Sequence, residues 1–206
     1  TILACGFLLP GVQANSIAAG VQNAFGVVPE VSAAVLAMLL GFIIFGGVKR
    51  IARFAELVVP FMALGYIIVA CVIIAINISQ LPAALMLIIK SAFGLEAAFG
   101  GILGLAIQWG VKRGVYSNEA GQGTGPHPAA AAEVSHPVKQ GLVQAFSVYV
   151  DTLFVCSATA FMLILTGTYN VKAADGKSFI YSGLGQLEPG PIYTQQAIES
   201  VMPGFG

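Results

Sequence analysis

The run Gly114-Val115-Tyr116-Ser117-Asn118-Glu119-Ala120-Gly121-Gln122-Gly123-Thr124-Gly125-Pro126-His127-Pro128 holds the densest set of groups able to bind a ligand. Its four glycines and two prolines in fifteen residues will not sustain a continuous helix, since Gly costs about 1 and Pro about 3 kcal/mol relative to Ala in a helix interior. The backbone must open here, between an apolar stretch and Ala129 to Ala132, where helical composition resumes. An opening at membrane depth has to line a cavity or be buried in protein, because unpaired amides and carbonyls are costly in lipid. Its freed N–H groups and half-helix N-terminus can hold a carboxylate, while freed carbonyls with Ser117, Asn118 and Thr124 can coordinate a small cation. Those are the needs of an amino acid and a coupling ion. A plain glycine-rich connection between helices is the competing reading. The run lacks the last Gly of GxGxxG and the Gly-Lys-Ser/Thr of a phosphate loop, and no strand precedes it.

Asp151 is the second signal, the single charge in the apolar segment from Gly141 to Thr166. A carboxylate there costs about 2.5–3.5 kcal/mol on insertion scales, so it faces a polar interior or a partner. Gln140, Gln144, Ser147 and Asp151 recur at spacings of four, three and four, which puts them on one helix face directed into a bundle. Interhelical hydrogen bonding is the alternative for this face, as it is for Gln13 and Asn15. His127 and His136 each precede a proline without a metal-binding spacing, and Glu119 can pair with Lys112 or Arg113 as readily as touch a ligand.

These groups have to be positioned by membrane helices. Of 206 residues 57% are hydrophobic and 9% charged, against about 25% charged in a soluble domain. Nine Lys and Arg balance nine Asp and Glu, which leaves no basic face for nucleic acid. Several stretches meet or approach the ~20 apolar residues that a helical span requires. The expected spans are residues 1–26, 31–48, 57–78, 97–133 with a break, and 138–166, followed by an extracytoplasmic loop over 167–206. Ala33, Ala37 and Gly41 predict a small-residue contact face on the second span, and Gly100 and Gly104 stand at GxxxG spacing on the fourth. Lys49, Arg50 and Arg53 read as a short cytoplasmic connection by the positive-inside rule. Asn77 to Phe93, with Pro82, reads as an external helix lying on the membrane. Cys5, Cys71 and Cys156 stand singly in apolar stretches and are expected to be buried packing. A start at Thr1 inside an apolar run predicts an internal piece of a longer chain, cut at both ends.

With Arg113 in front, Gly114 to Gly125 resembles the signature of the alanine or glycine:cation symporter family. The likeness extends through His136-Pro137-Val138-Lys139-Gln140-Gly141-Leu142, Asp151-Thr152-Leu153, Gln13-Ala14-Asn15-Ser16, Gly47-Val48-Lys49-Arg50-Ile51 and Asn77-Ile78-Ser79-Gln80. It covers nearly the whole chain and departs from the commoner family pattern at Gln122, Thr124 and Pro128-Ala129. The resemblance implies an all-α membrane protein of LeuT type, with five helices repeated in inverted topology and one discontinuous helix in each repeat. This chain would be the late part of the first repeat and the start of the second. It also implies sodium-coupled, or in some members proton-coupled, symport of alanine or glycine across a bacterial or archaeal inner membrane, with no cofactor beyond the coupling ion and no enzymatic step. The expected substrate-binding residues are Gln13, Asn118, Gly121, Gly123 and Thr124, and the expected cation-binding residues are Ser117, Asn118 and Asp151. The remainder of the same transporter chain and the lipid bilayer are the implied partners. A channel with a glycine-rich re-entrant segment and a membrane-embedded hydrolase using His127, Glu119 and Asp151 are the alternatives.

Overall fold

The computed structural model describes residues 9–92, 123–172, 178–187 and 190–206. They are mostly helical. Helix α1, Leu9–Phe25, ends where Gly26 takes φ 67° and its N–H donates to Gln22 O at 2.9 Å. Helix α2, Pro29–Ile44, starts with proline at its first position, where the missing N–H is no loss. A tight turn then joins α2 to α3, Gly47–Ile76: Phe45 N–H donates to Gly41 O at 3.0 Å, and Gly47 has φ 76°, a conformation that favours glycine. Asn77 closes α3 by giving both its backbone N–H and its Nδ2 to Ile73 O, and a 3-10 turn over Ile78–Gln80 leads into α4, Leu81–Ala92.

After the undescribed residues, α5 runs Pro126–Ala131 and α6 runs Pro137–Thr166. The middle of α6 is a π-helical segment, Asp151–Cys156. Gly167, with φ 68°, ends α6 and opens a two-stranded antiparallel hairpin, β1 Asn170–Lys172 and β2 Phe179–Ser182; the last helix is α7, Pro191–Val201. Helices α3 and α6, each 30 residues, are long and apolar enough to cross a membrane.

The buried core is small and lies where α3, α6 and α7 meet: Ala70, Ile73, Met162 and Ala197, with Tyr66, Val69, Ala158, Leu163, Ile198 and Val201 packed around them. Fully buried alanines on α3 and α7 let the helix backbones approach closely. Tyr66 lies opposite Thr159, and α4, which follows the far end of α3, packs on the last turns of α6. Helices α3 and α6 therefore run side by side in the same direction. Lys49, Arg50, Arg53 and Lys139 lie towards their shared starting end, and the hairpin with α7 covers the other. Only 11% of the most apolar stretch of each long helix is buried. Met38, Phe42, Phe61, Leu142, Phe146 and Phe154 all stand exposed, an apolar surface suited to lipid or further protein rather than water.

Several expectations are corrected. Lys49, Arg50 and Arg53 occupy the first turns of α3 and are not a separate connection, because the two glycines have already turned the chain. The long basic side chains leave the helix intact, and the Arg50 guanidinium rests 4.1 Å from the Phe42 ring centroid. Residues 167–206 are not simply a loop. Asn170 organises them, giving Nδ2 to Gly185 O at 2.9 Å and Tyr193 Oη at 3.0 Å while its Oδ1 accepts Leu184 N–H at 3.0 Å. Cys71 and Cys156 are exposed and not buried packing; Cys5 lies outside the described residues. On α2, Ala33 and Ala37 of the expected small-residue face are exposed and only Gly41 is half-buried, alongside Leu36 and Ile43, while Ser32 is buried.

Candidate functional site

The described part of the glycine-rich run begins at Gly123, which has φ 80°. An L side chain is strained in that conformation, so glycine is required by the backbone itself. Thr124 follows with its Oγ1 buried and without a hydrogen-bond partner. Its carbonyl accepts His127 N–H at 3.0 Å, and Gly125 O accepts Ala129 N–H at 3.4 Å, which starts α5 immediately after the open stretch. A Cβ on Gly125 would stand 3.4 Å from Gln144 Oε1. The end of the run is thus packed against the polar face of α6.

The start of α6 is fixed by a cap. His136 Nδ1 accepts Val138 N–H at 3.2 Å, and Lys139 Nζ donates to Ser135 Oγ at 2.7 Å. From there Gln140, Gln144 and Asp151 are half-buried while the residues between them on α6, Ser147 included, are exposed, so three of the four residues expected on this face are partly covered. Ser147 is exposed and gives its hydroxyl to Gln144 O at 2.7 Å. Asp151 is the first residue of the π segment, and its Oδ2 accepts the Cys156 thiol at 3.7 Å.

A π turn closes wider than an α turn and changes the direction of the side chains that follow; such turns are frequent at functional sites. Two carbonyls of the segment accept side-chain hydroxyls: Ser157 Oγ donates to Thr152 O at 3.1 Å and Thr159 Oγ1 to Val155 O at 2.9 Å. The Tyr66 hydroxyl of α3 meets Thr159 Oγ1. The sequence reading missed this segment. A signal was present in the hydroxyls Thr152, Ser157 and Thr159, crowded into an otherwise apolar helix.

Gly125, which follows Gly123 and Thr124, thus meets the α6 face at Gln144, whereas Gln13 stands exposed on α1, whose main packing partners are α2 and α7. Ser117, Asn118, Glu119, Gly121 and Gln122 lie outside the described residues, as do Gly100, Gly104, Lys112 and Arg113. His136 serves as a helix cap and His127 is exposed. Chemically, the helix that carries Gln144 against Gly125 also carries the Asp151 carboxylate and the hydroxyls of Thr152, Ser157 and Thr159, and carboxylate and hydroxyl oxygens are hard ligands for a small cation.

The sodium:alanine symporter family model matches residues 1–201. The chain is 69% identical over 205 residues to YrbD of Bacillus subtilis (strain 168), a match that covers all of this chain and 42% of that protein. It is 58% identical over 205 residues to the sodium/proton-dependent alanine carrier protein of Bacillus sp. (strain PS3), again all of this chain and 46% of the relative. Against the sodium/alanine symporter AgcS of Methanococcus maripaludis the identity is 42% over 195 residues, 95% of this chain and 41% of that protein. The chain thus spans less than half the length of these curated relatives. Matched over almost its whole length by a family of transporters rather than enzymes, the chain belongs to the sodium:alanine symporter family.

Proposed function

We propose that the complete protein is a multi-pass plasma-membrane symporter that takes up alanine or glycine together with sodium, or with protons in its place. The observation that carries this reading is the close approach of Gly125, next to Thr124 with its buried and unpartnered hydroxyl, to Gln144 on the polar face of α6 that leads to Asp151. Backbone freed around Gly121 and Gly123, with Asn118, Thr124 and Gln13, would hold the amino acid; Ser117, Asn118 and Asp151 would hold the cation. The open stretch is read as the break in a discontinuous helix of a LeuT-type inverted repeat, with the remaining chain supplying the second half of the site. The end of α3 and α6 that carries Lys49, Arg50, Arg53 and Lys139 is read as cytoplasmic, and the hairpin and α7 as extracytoplasmic. Family membership lends no support to the channel or hydrolase readings.

A cation held beside the carboxylate of the amino acid favours its binding, and by linkage each ligand then strengthens the other's binding by the same factor. Titration calorimetry on the purified complete protein should therefore show alanine binding more tightly as sodium rises, and sodium binding more tightly as alanine rises. Alanine or glycine affinity that is indifferent to both sodium and pH would overturn the proposal.

A further inference from the structure

A π segment is an uncommon conformation for a membrane-length helix, and Asp151 sits at its first position. Whatever holds the segment in shape therefore also sets where the carboxylate points. Thr159 Oγ1 donates to Val155 O at 2.9 Å, and Val155 adjoins Cys156, whose thiol reaches Asp151 Oδ2 at 3.7 Å. A threonine hydroxyl has one proton. With that proton given to Val155 O, the contact between Thr159 Oγ1 and the Tyr66 hydroxyl is a donation by Tyr66. The relay from Tyr66 through Thr159 to Val155 ties the π segment of α6 to the second long helix, α3. It stands at the edge of the buried core, where Tyr66 packs against the cluster of Ala70, Ile73, Met162 and Ala197. The tyrosine ring is thus anchored by apolar contacts independent of its hydroxyl.

We propose that Tyr66 is a positioning residue for ion coupling: its hydroxyl, through Thr159, holds the π segment in the shape that directs Asp151 to the cation. The inference rests on the cation role proposed for Asp151. Tyr66 touches neither substrate nor ion in this account, so its loss should alter the response to sodium and leave the amino-acid subsite alone.

The test uses the complete transporter in proteoliposomes, with alanine uptake measured against sodium and normalised to protein in the membrane. Asp151→Asn comes first, and it should raise the sodium needed for half-maximal uptake; an unchanged curve removes the cation role and this inference with it. With that shift in hand, Tyr66→Phe keeps the ring and deletes one oxygen. It should raise half-saturating sodium by about three- to tenfold, the factor carried by a net neutral hydrogen bond. Half-saturating alanine at saturating sodium should stay as in the parent. Thr159→Val should reproduce the shift and carries the test if Tyr66→Phe reaches the membrane poorly, while Thr159→Ser should track the parent. The Tyr66→Phe/Thr159→Val double variant should shift no further than either single change, as two members of one relay must. A sodium curve moved by Asp151→Asn but not by Tyr66→Phe or Thr159→Val overturns the positioning role alone. So do additive effects, or a loss shared equally by alanine and sodium.

Discussion

A buried hydroxyl without a partner costs about 1–3 kcal/mol. Among the described residues both Ser32 Oγ and Thr124 Oγ1 are in that state, so the lack of a partner does not by itself mark a site. Thr124 differs in its neighbours: Gly123 at φ 80° on one side and Gly125 against Gln144 on the other. A β-branched residue at Gly123 is strained by about 1–2 kcal/mol or more whatever space surrounds it, and the strain falls on the backbone that presents Thr124. Gly123→Val should therefore abolish alanine uptake while the protein still reaches the membrane, with Gly123→Ala intermediate. Uptake and membrane abundance measured on the same vesicles check this, and normal uptake by Gly123→Val would mean that the stretch is an ordinary connection. Positive φ at Gly123 was foreseeable because a dense glycine run in a chain of long helices has few other uses. Asp151 stood out for the same kind of reason, as the single charge in a long apolar segment. The π turn beneath it was not legible, since its period differs from that of an α-helix by too little to show over six residues.

At the scale of elements, apolar length made α3 and α6 readable, and turn chemistry decided what was misread. Lys49 to Arg53 looked like a connection because charge was weighed above Gly46-Gly47, yet the glycines make the turn and the basic side chains extend from an intact helix. Residues 167–206 looked irregular because they are polar and rich in Gly and Pro. Their order comes from contacts distant in sequence, which no local pattern reports: Asn170 to Gly185 and Tyr193, Tyr181 Oη to Gly167 O at 3.3 Å, and Gln195 Nε2 to Gly20 O at 3.0 Å. Gly183 is central to the hairpin. Its N–H donates to Tyr169 O at 3.0 Å, and a Cβ there would fall 1.9 Å from Gly167 O, a backbone atom that cannot swing aside. Gly183→Ala should destabilise this cap by about 1–3 kcal/mol, the usual range for overpacking. Faster hydrogen exchange in the hairpin and α7 of the complete protein, with α3 unaffected, is the expected readout. Unchanged exchange in the hairpin would show that the close approach to Gly167 is not maintained in solution.

At the scale of the whole molecule, two long helices run in the same direction, with basic residues towards one end and a folded cap at the other. Their flanks are apolar and largely uncovered, as suits a member of the sodium:alanine symporter family that spans less than half the length of its relatives. In the function proposed above, the glycine-opened backbone packed on a polar helix face is one wall of a site for a small zwitterion and a cation. Coupling is the central claim, because a binding wall alone does not make a pump. Its most direct test is concentrative uptake of alanine by the complete protein in proteoliposomes whose ion gradients are set by the experimenter. The account predicts accumulation when sodium or proton concentration is higher outside, and mere equilibration when both gradients are dissipated by ionophores. Accumulation to the same level without either gradient would contradict it.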